Sequence, residues 1–464
     1  MKALRLLVFE SALVLLLLAS FVMASGAYAA DAPRFQLATF SVDVTIPLNH
    51  RCMGVLPTKS KKIVDPLYAH GFVLLGGEKP IVQCAVDWCE IRNGAYDQWR
   101  DALAQAAGTT RERVLVSSLH QHDAPVTDAG AAQLLTSVGL TGELYDEAFH
   151  DEAVERIATA LRNSLEDAQP VTHFGTGQAR VKDVASNRRV VYPDGRVSFG
   201  RGSRSGGNEF YSGTAEGLID PFLKTISLWN GDKPLVALHS YATHPMSYYG
   251  RGEVTSDFVG LARERRQRDD FSVKQIYVSG CSGDVTAGKY NNGTHETRLI
   301  LVDRMYKAMV AAWENTKRVP LEQVHFRNTT FELDYHPSPR LTTEALTASL
   351  QDEEQTVEKR ILAAMSLSSR QRVAARQPID LPVVDFGPAQ IVLFPGEAFV
   401  GYQLMAQQMR PDSFVFSIGY GECWPGYIPT KSAFDDNFGD SWLWVAPGSE
   451  AKMRTALEQV LLAK

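Results

Sequence analysis

The sequence predicts a mixed α/β fold: one large domain with a mixed β-sheet core flanked by helices, and a metal site at the C-terminal ends of strands. Three observations carry this. Apolar, β-branched runs recur at 114–119, 234–241, 273–278, 389–394 and 413–418, each the length of a buried strand rather than a helix. Helical patterns lie between them, the clearest at 143–168, where Val154, Ile157, Leu161 and Leu165 share a face. Most of these runs end in a polar loop carrying a histidine, serine, glutamate or tyrosine, and ligands gather where strands with parallel neighbours end.

In chain order, 35–46 alternates as an opening strand that Pro47 ends. Residues 72–75 and 81–86 flank Gly76-Gly77-Glu78-Lys79-Pro80 as a hairpin. A helix is expected over 96–107, with Trp99 and Leu103 four apart and Gly108 as its stop. The strand 114–119 delivers His120 and His122, which strand alternation would send to one face. A polar, glycine-rich stretch, 183–217, contains Asn187-Arg188, and long irregular segments in compact domains are usually functional or mobile. Ser256 is positioned as the N-cap of a short basic helix. Helix is also expected over 297–313, and 341–376, charged and free of proline, reads as a helical excursion on the surface. Pro395-Gly396-Glu397 follows the next strand and leads into a helix. The last strand runs into a loop from Gly419 to Thr430 that carries Tyr427.

At 464 residues, 45% apolar and 22% charged, the chain has ordinary globular composition. Residues 1–29 read as a secretory signal: Lys2 and Arg5 precede an apolar run over 12–24, and Ala27-Tyr28-Ala29 offers a cleavage site. A secreted or periplasmic location and a domain over 30–464 follow as expectations, with an uncleaved N-terminal anchor as the alternative. Cleavage would remove Lys2, Arg5 and Glu10, a net +1, and take the formal charge from −6 to −7. An acidic chain without basic runs argues against a nucleic-acid partner and against electrostatic docking to anionic lipid. Five cysteines at irregular spacing form neither a disulfide framework nor a zinc knuckle, and leave open whether one pair is joined.

His120, His244, Ser282, Glu397 and Tyr427 thus all follow strands. Two imidazoles and a carboxylate are ligand types of catalytic zinc, and a phenol oxygen completes a shell with room for water. Each residue also has a structural alternative. His244 before Pro245 fits a satisfied core histidine, and Glu397 fits a first-turn carboxylate. Tyr427 suits a packed aromatic, and Ser282 suits a turn. His50, His70, His239 and His295 are read as structural.

Eight short motifs occur in order along the chain. They are Asp65-Pro66-Leu67-Tyr68-Ala69, Ser118-Leu119-His120-Gln121-His122, Asn187-Arg188, Ala242-Thr243-His244-Pro245, Ser282-Gly283-Asp284, Pro395-Gly396-Glu397, Gly426-Tyr427-Ile428-Pro429-Thr430 and Ala446-Pro447-Gly448-Ser449. In that order the chain resembles the neutral ceramidases, secreted or surface zinc amidases that hydrolyse N-acylsphingosine. The resemblance implies zinc (Zn2+) held by His120, His244, Glu397 and Tyr427, and attack of an activated water on the amide carbonyl of ceramide. It also implies His122 as a proton-exchanging or oxyanion-holding neighbour, Arg188 near the same oxygen, and Ser282 hydrogen bonding at the scissile group. Transient contact with a membrane surface would follow, with Tyr248, Tyr249, Trp424, Trp442 and Trp444 as the candidate exposed apolar rim.

The chain departs from the family in three places. No C-terminal β-sandwich domain is expected within it. Asn437-Phe438-Gly439-Asp440 stands where members often carry a tyrosine-glutamate pair, so a phenol near the substrate is missing there. Gln121 and Asp123-Ala124-Pro125 replace the more usual threonine and serine-glycine around the two histidines. The alternatives are a zinc hydrolase of another small amide or ester, and a non-catalytic extracellular binding protein on the same scaffold.

Overall fold

In a computed structural model, residues 34–247 and 249–462 are described; the signal-like residues 1–29 and Tyr248 lie outside them. Three principal sheets form the frame, two of five strands and one of four. The first runs, in spatial order, Val114–Ser118, Ile81–Val86, Tyr68–Leu75, Phe35–Asp43 and Gln169–Val171. The second runs Lys274–Ser279, Lys233–Tyr241, Phe222–Asn230, His173–Arg180 and Lys317–Pro320. The third runs His325–Phe331, Ile379–Asp385, Ala389–Leu393 and Phe414–Ile418. Each sheet is antiparallel except for a single parallel pair at one edge.

Those parallel edges meet. The inner faces of all three sheets contribute to one apolar cluster that includes Phe72, Leu115, Leu238, Ile276, Ile391 and Phe416. Their other faces are covered too: Val114 and Val116 point away from Leu115, into a second cluster that contains Trp99 and Leu103 of the helix Asn93–Ala107. Burial on both sides explains why these strands read as continuous apolar runs. At their C-terminal ends the sheets are stitched together. Ser118 N donates to Tyr420 O at 2.9 Å, Gly419 N to Ser279 O at 2.8 Å, and Ser279 Oγ to Leu119 O at 2.8 Å. The loops beyond the strands therefore converge on one place.

The helices follow the sequence with three corrections. Asn93–Ala107 ends at Gly108, which takes the left-handed conformation (φ 66°) that glycine adopts without penalty. Glu147–Ser164 starts one turn later than its pattern suggests, where Asp146 caps the amide of Phe149 at 3.1 Å. The segment expected as a surface excursion is instead two helices, Thr343–Gln351 and Val357–Ala374, and the second is largely internal. Its buried stripe is Ile361, Ala364, Met365 and Ser368. Small and polar residues in that stripe hide it from a hydrophobicity reading, yet Ser368 Oγ donates to the buried Asp128 carboxylate at 2.7 Å. Ser256 precedes the helix Asp257–Asp269 but does not cap it: its hydroxyl donates to Asp65 Oδ1 at 2.6 Å. All five cysteines are free and buried.

One buried ion pair ties the frame to the site. Arg263, on Asp257–Asp269, grips Asp87 through two bonds of 2.7 and 2.8 Å. Asp87 follows the strand Ile81–Val86, and its carbonyl accepts from the Gln121 side chain, between the two histidines. Breaking a buried pair from one side strands the other charge in the interior, at a cost of about 3–5 kcal/mol. Arg263→Ala is therefore expected to lower unfolding stability by that amount, read from its urea midpoint; a midpoint within error of the parent would remove the pair from the frame.

Candidate metal centre and active site

His120 stands two residues beyond the strand Val114–Ser118, and it is not in a strand conformation. Its φ is +72°, so the alternation expected for His120 and His122 does not apply. A left-handed histidine costs free energy and persists where its surroundings over-determine it. Here Leu119 N donates to Val86 O at 2.8 Å and His120 N to Trp88 O at 2.9 Å. The turn still brings the rings together, with centroids 5.2 Å apart and nearly perpendicular.

His244 arrives from Lys233–Tyr241, its amide bonded to Val285 O at 2.9 Å. Glu397 and Tyr427 are paired in a short parallel ladder, Glu397–Ala398 against Tyr427–Ile428. Gly283 brings the Ser282 loop against that ladder, with its amide donating to Ala398 O at 3.1 Å. A Cβ at Gly283 would overlap the carbonyl oxygen of Glu397.

The backbone fixes both imidazole tautomers. His120 Nδ1 lies 3.0 Å from Cys89 O, and His244 Nδ1 lies 2.7 Å from Ser282 O. Carbonyls only accept, so Nδ1 carries the hydrogen in each ring and Nε2 keeps its lone pair. Both Nε2 atoms face the same carboxylate oxygen, Glu397 Oε2, at 3.2 and 3.0 Å. Arg188 Nη2 is 3.3 Å from His244 Nε2, and Arg188 Nη1 donates to the Tyr427 hydroxyl at 2.8 Å. Two lone-pair nitrogens and a carboxylate oxygen repel one another unless a cation lies among them. This donor set fits a metal ion, and a carbonyl holding the far nitrogen of each ligating histidine is the usual supporting arrangement. His120, His122 and His244 form one group whose ring nitrogens approach closely enough to share an ion, and Glu90, His120 and Glu397 form another.

The electrostatics agree. Burial by itself would raise the Glu397 pKa and lower that of His120. Attraction between the carboxylate and a proton on the imidazoles outweighs it and holds the carboxyl well below its usual range and His120 above its own, so this point draws positive charge. Burial, helped by Arg188, pushes His244 down to about 4. Burial also keeps His122 far below the ordinary histidine value, with His120 and His244 adding to the effect. Both ring nitrogens of His122 are buried and have no hydrogen-bond partner among the described residues, and the ring lies beside that of Tyr249 at 5.4 Å. The Ser282 hydroxyl is 2.7 Å from the Tyr420 hydroxyl, and Tyr420 stacks on His120 at 4.2 Å between centroids.

All seven residues singled out in the sequence therefore come together: His120, His244, Glu397 and Tyr427, with His122, Arg188 and Ser282 around them. Sequence reasoning missed Tyr420 and Glu90. Tyr420 has φ +58°, an outlier with no mark in the sequence. For Glu90 the one available signal was an acid flanked directly by Cys89 and Ile91.

Of the expected apolar rim, Tyr249 is half-buried, Tyr248 lies outside the described residues, and the tryptophans are not exposed. Trp424, Trp442 and Trp444 are all buried. Trp442 donates to Glu90 at 3.0 Å and Trp444 to Ser366 at 2.8 Å, so these indoles have internal partners. Beside the site runs an open groove of about 640 Å³, whose lining includes Leu341, Leu346, Leu362, Phe438, Asp440 and Leu443. Phe438 packs edge-on to Tyr427 at 5.5 Å, and Asp440 lies within the electrostatic reach of Arg188.

No known family model matches the sequence, and no curated protein matches it. Solved structures do resemble the chain, two ceramidases among them. The neutral ceramidase from Pseudomonas aeruginosa is 15% identical, with 93% of this chain and 74% of that one covered at a TM-score of 0.66. A ceramidase complexed with C2 is 14% identical, with 93% and 75% covered at a TM-score of 0.67. The mixed α/β architecture that gathers these side chains is the fold of the neutral ceramidases.

Proposed function

We propose that this protein is a zinc-dependent amidohydrolase that cleaves the N-acyl amide of ceramide or a similar N-acyl lipid. The observation that carries the reading is the convergence of His120 Nε2 and His244 Nε2 on Glu397 Oε2 within 3.2 Å, in this fold. His120, His244, Glu397 and Tyr427 would hold the metal. Bound zinc supplies Lewis acidity, which makes a water acidic near pH ~7 and polarises a carbonyl.

The chain's own groups supply the rest. His122 is neutral and has a free lone pair, so it can take the proton of the attacking water. Arg188 faces the same point and offers fixed positive charge to the oxygen where negative charge develops. Ser282, backed by the Tyr420 hydroxyl at 2.7 Å, provides a donor at the scissile group. Covalent attack by Ser282 has no support here, since its hydroxyl is bonded to a phenol and not to a base. The groove past Phe438 suits an acyl or sphingoid chain. The leader-like residues 1–29 support a secreted or periplasmic site of action.

The buried tryptophans favour a second reading, hydrolysis of a small or already dispersed amide or ester. Pulling a two-chain lipid from a bilayer exposes methylenes at ~0.8 kcal/mol each unless an apolar rim receives them. Rapid hydrolysis of short-chain fluorescent ceramide in detergent is therefore expected, with a much slower rate on vesicles. Zinc content measured on the same sample completes the test. Equal rates in both formats would show extraction without a tryptophan rim, and no release from either would leave the small-substrate reading.

A further inference from the structure

The mechanism above makes no use of Glu90, a carboxylate buried completely behind His120. Its Oε1 accepts the Trp442 indole N–H at 3.0 Å and lies 3.9 Å from His120 Nδ1; its Oε2 accepts from Arg92 at 3.0 Å. Arg92 does not neutralise it alone. The same guanidinium lies 3.5 Å from the buried Asp128 carboxylate, donates to Ser369 at 2.9 Å, and sits over the Trp444 ring at 4.2 Å. Glu90 thus shares this cation with Asp128, and Glu90 is the one of the two that faces His120.

A buried carboxylate that only shares a cation is held either by a proton or by a further counter-charge nearby. On the far side of the imidazole lies the point where His120 and His244 meet Glu397. The geometry points to Glu90 as a positioning residue of the metal centre. Acting through His120, whose Nδ1–H is held by Cys89 O, its charge makes the imidazole a stronger donor and raises the affinity for a divalent cation. Arg92 and Trp442 hold it in place. This rests on the ligand set proposed above, but not on the identity of the substrate.

The test is zinc affinity, measured by competition with a chromophoric chelator on the full-length protein. Glu90→Gln keeps an acceptor for Trp442 and removes the charge; its zinc dissociation constant is expected to rise about 10–100-fold. The metal-free variant should keep the parent's circular dichroism but melt lower, because Arg92 loses one of its two buried anionic partners. Glu90→Asp restores the charge one methylene farther back and should recover part of the affinity, so that parent, Asp and Gln form an ordered series. If Glu90→Gln does not fold, the difference between parent and Glu90→Asp carries the test. Affinities equal to the parent's, or equal losses in the Asp and Gln variants, overturn the inference. Parental protein that takes up zinc but releases no fatty acid defeats the lipid reading alone, and the ordered series then still supports Glu90. Parental protein that takes up no zinc defeats both.

Discussion

His244→Ala protein is expected to purify with no zinc and no hydrolytic activity. His244 Nε2 is one of the two lone-pair nitrogens that meet Glu397 Oε2, at 3.0 Å, and its Nδ1–H is fixed by Ser282 O at 2.7 Å. Loss of a supporting contact around a metal commonly weakens binding by about 10–100-fold, and loss of a direct ligand exceeds that. The remaining imidazole and carboxylate would then hold the ion too weakly to survive purification. Elemental analysis of the purified variant, beside the parent, checks this directly. Retention of one zinc per chain would falsify the ligand set. Removing zinc from the parent with a chelator and restoring it should switch activity off and on; His244→Ala should not recover on zinc addition.

The strands were legible because their chemistry has one solution. A strand covered on both faces needs apolar residues on both, as in Val114–Ser118, where Leu115 faces one cluster and Val116 another. The strand ends were legible too, since a histidine or glutamate that directly follows such a run has few other reasons to be there. The errors have physical causes of their own. Val357–Ala374 buries alanines and serines, which a hydrophobicity pattern counts as surface. His120 departs from strand geometry because Trp88 and Val86 hold its turn, and the sequence shows neither contact. The tryptophans after Cys423 stand in loops and so looked exposed, but loops that cross over a core bury their aromatics. Glu90 was beyond reach of sequence reasoning: its indole partner lies 352 residues away, and only the folded chain shows that its carboxylate faces a ligand. Arg188 and Tyr427, 239 residues apart, were linked by resemblance, and the hydrogen bond supplies the physical reason.

Ser282→Ala is expected to separate catalysis from metal binding. Ser282 acts in two ways, and only one of them uses its side chain. Its backbone carbonyl accepts from His244 Nδ1 at 2.7 Å, which sets the tautomer of that ligand, and alanine preserves this. Its hydroxyl pairs with the Tyr420 phenol at 2.7 Å and is the group assigned to the scissile amide. Zinc content should therefore stay at the parental level. Turnover should fall ~10²–10³-fold, the usual cost of removing one preorganised donor to a developing charge. The fold should also weaken slightly. Tyr420 is buried, and its hydroxyl would lose its partner at a cost of about 1–3 kcal/mol. The double variant Ser282→Ala with Tyr420→Phe should recover that stability without recovering turnover. Zinc lost together with activity would move Ser282 into a structural or ligand role, and parental turnover would remove its hydroxyl from the reaction.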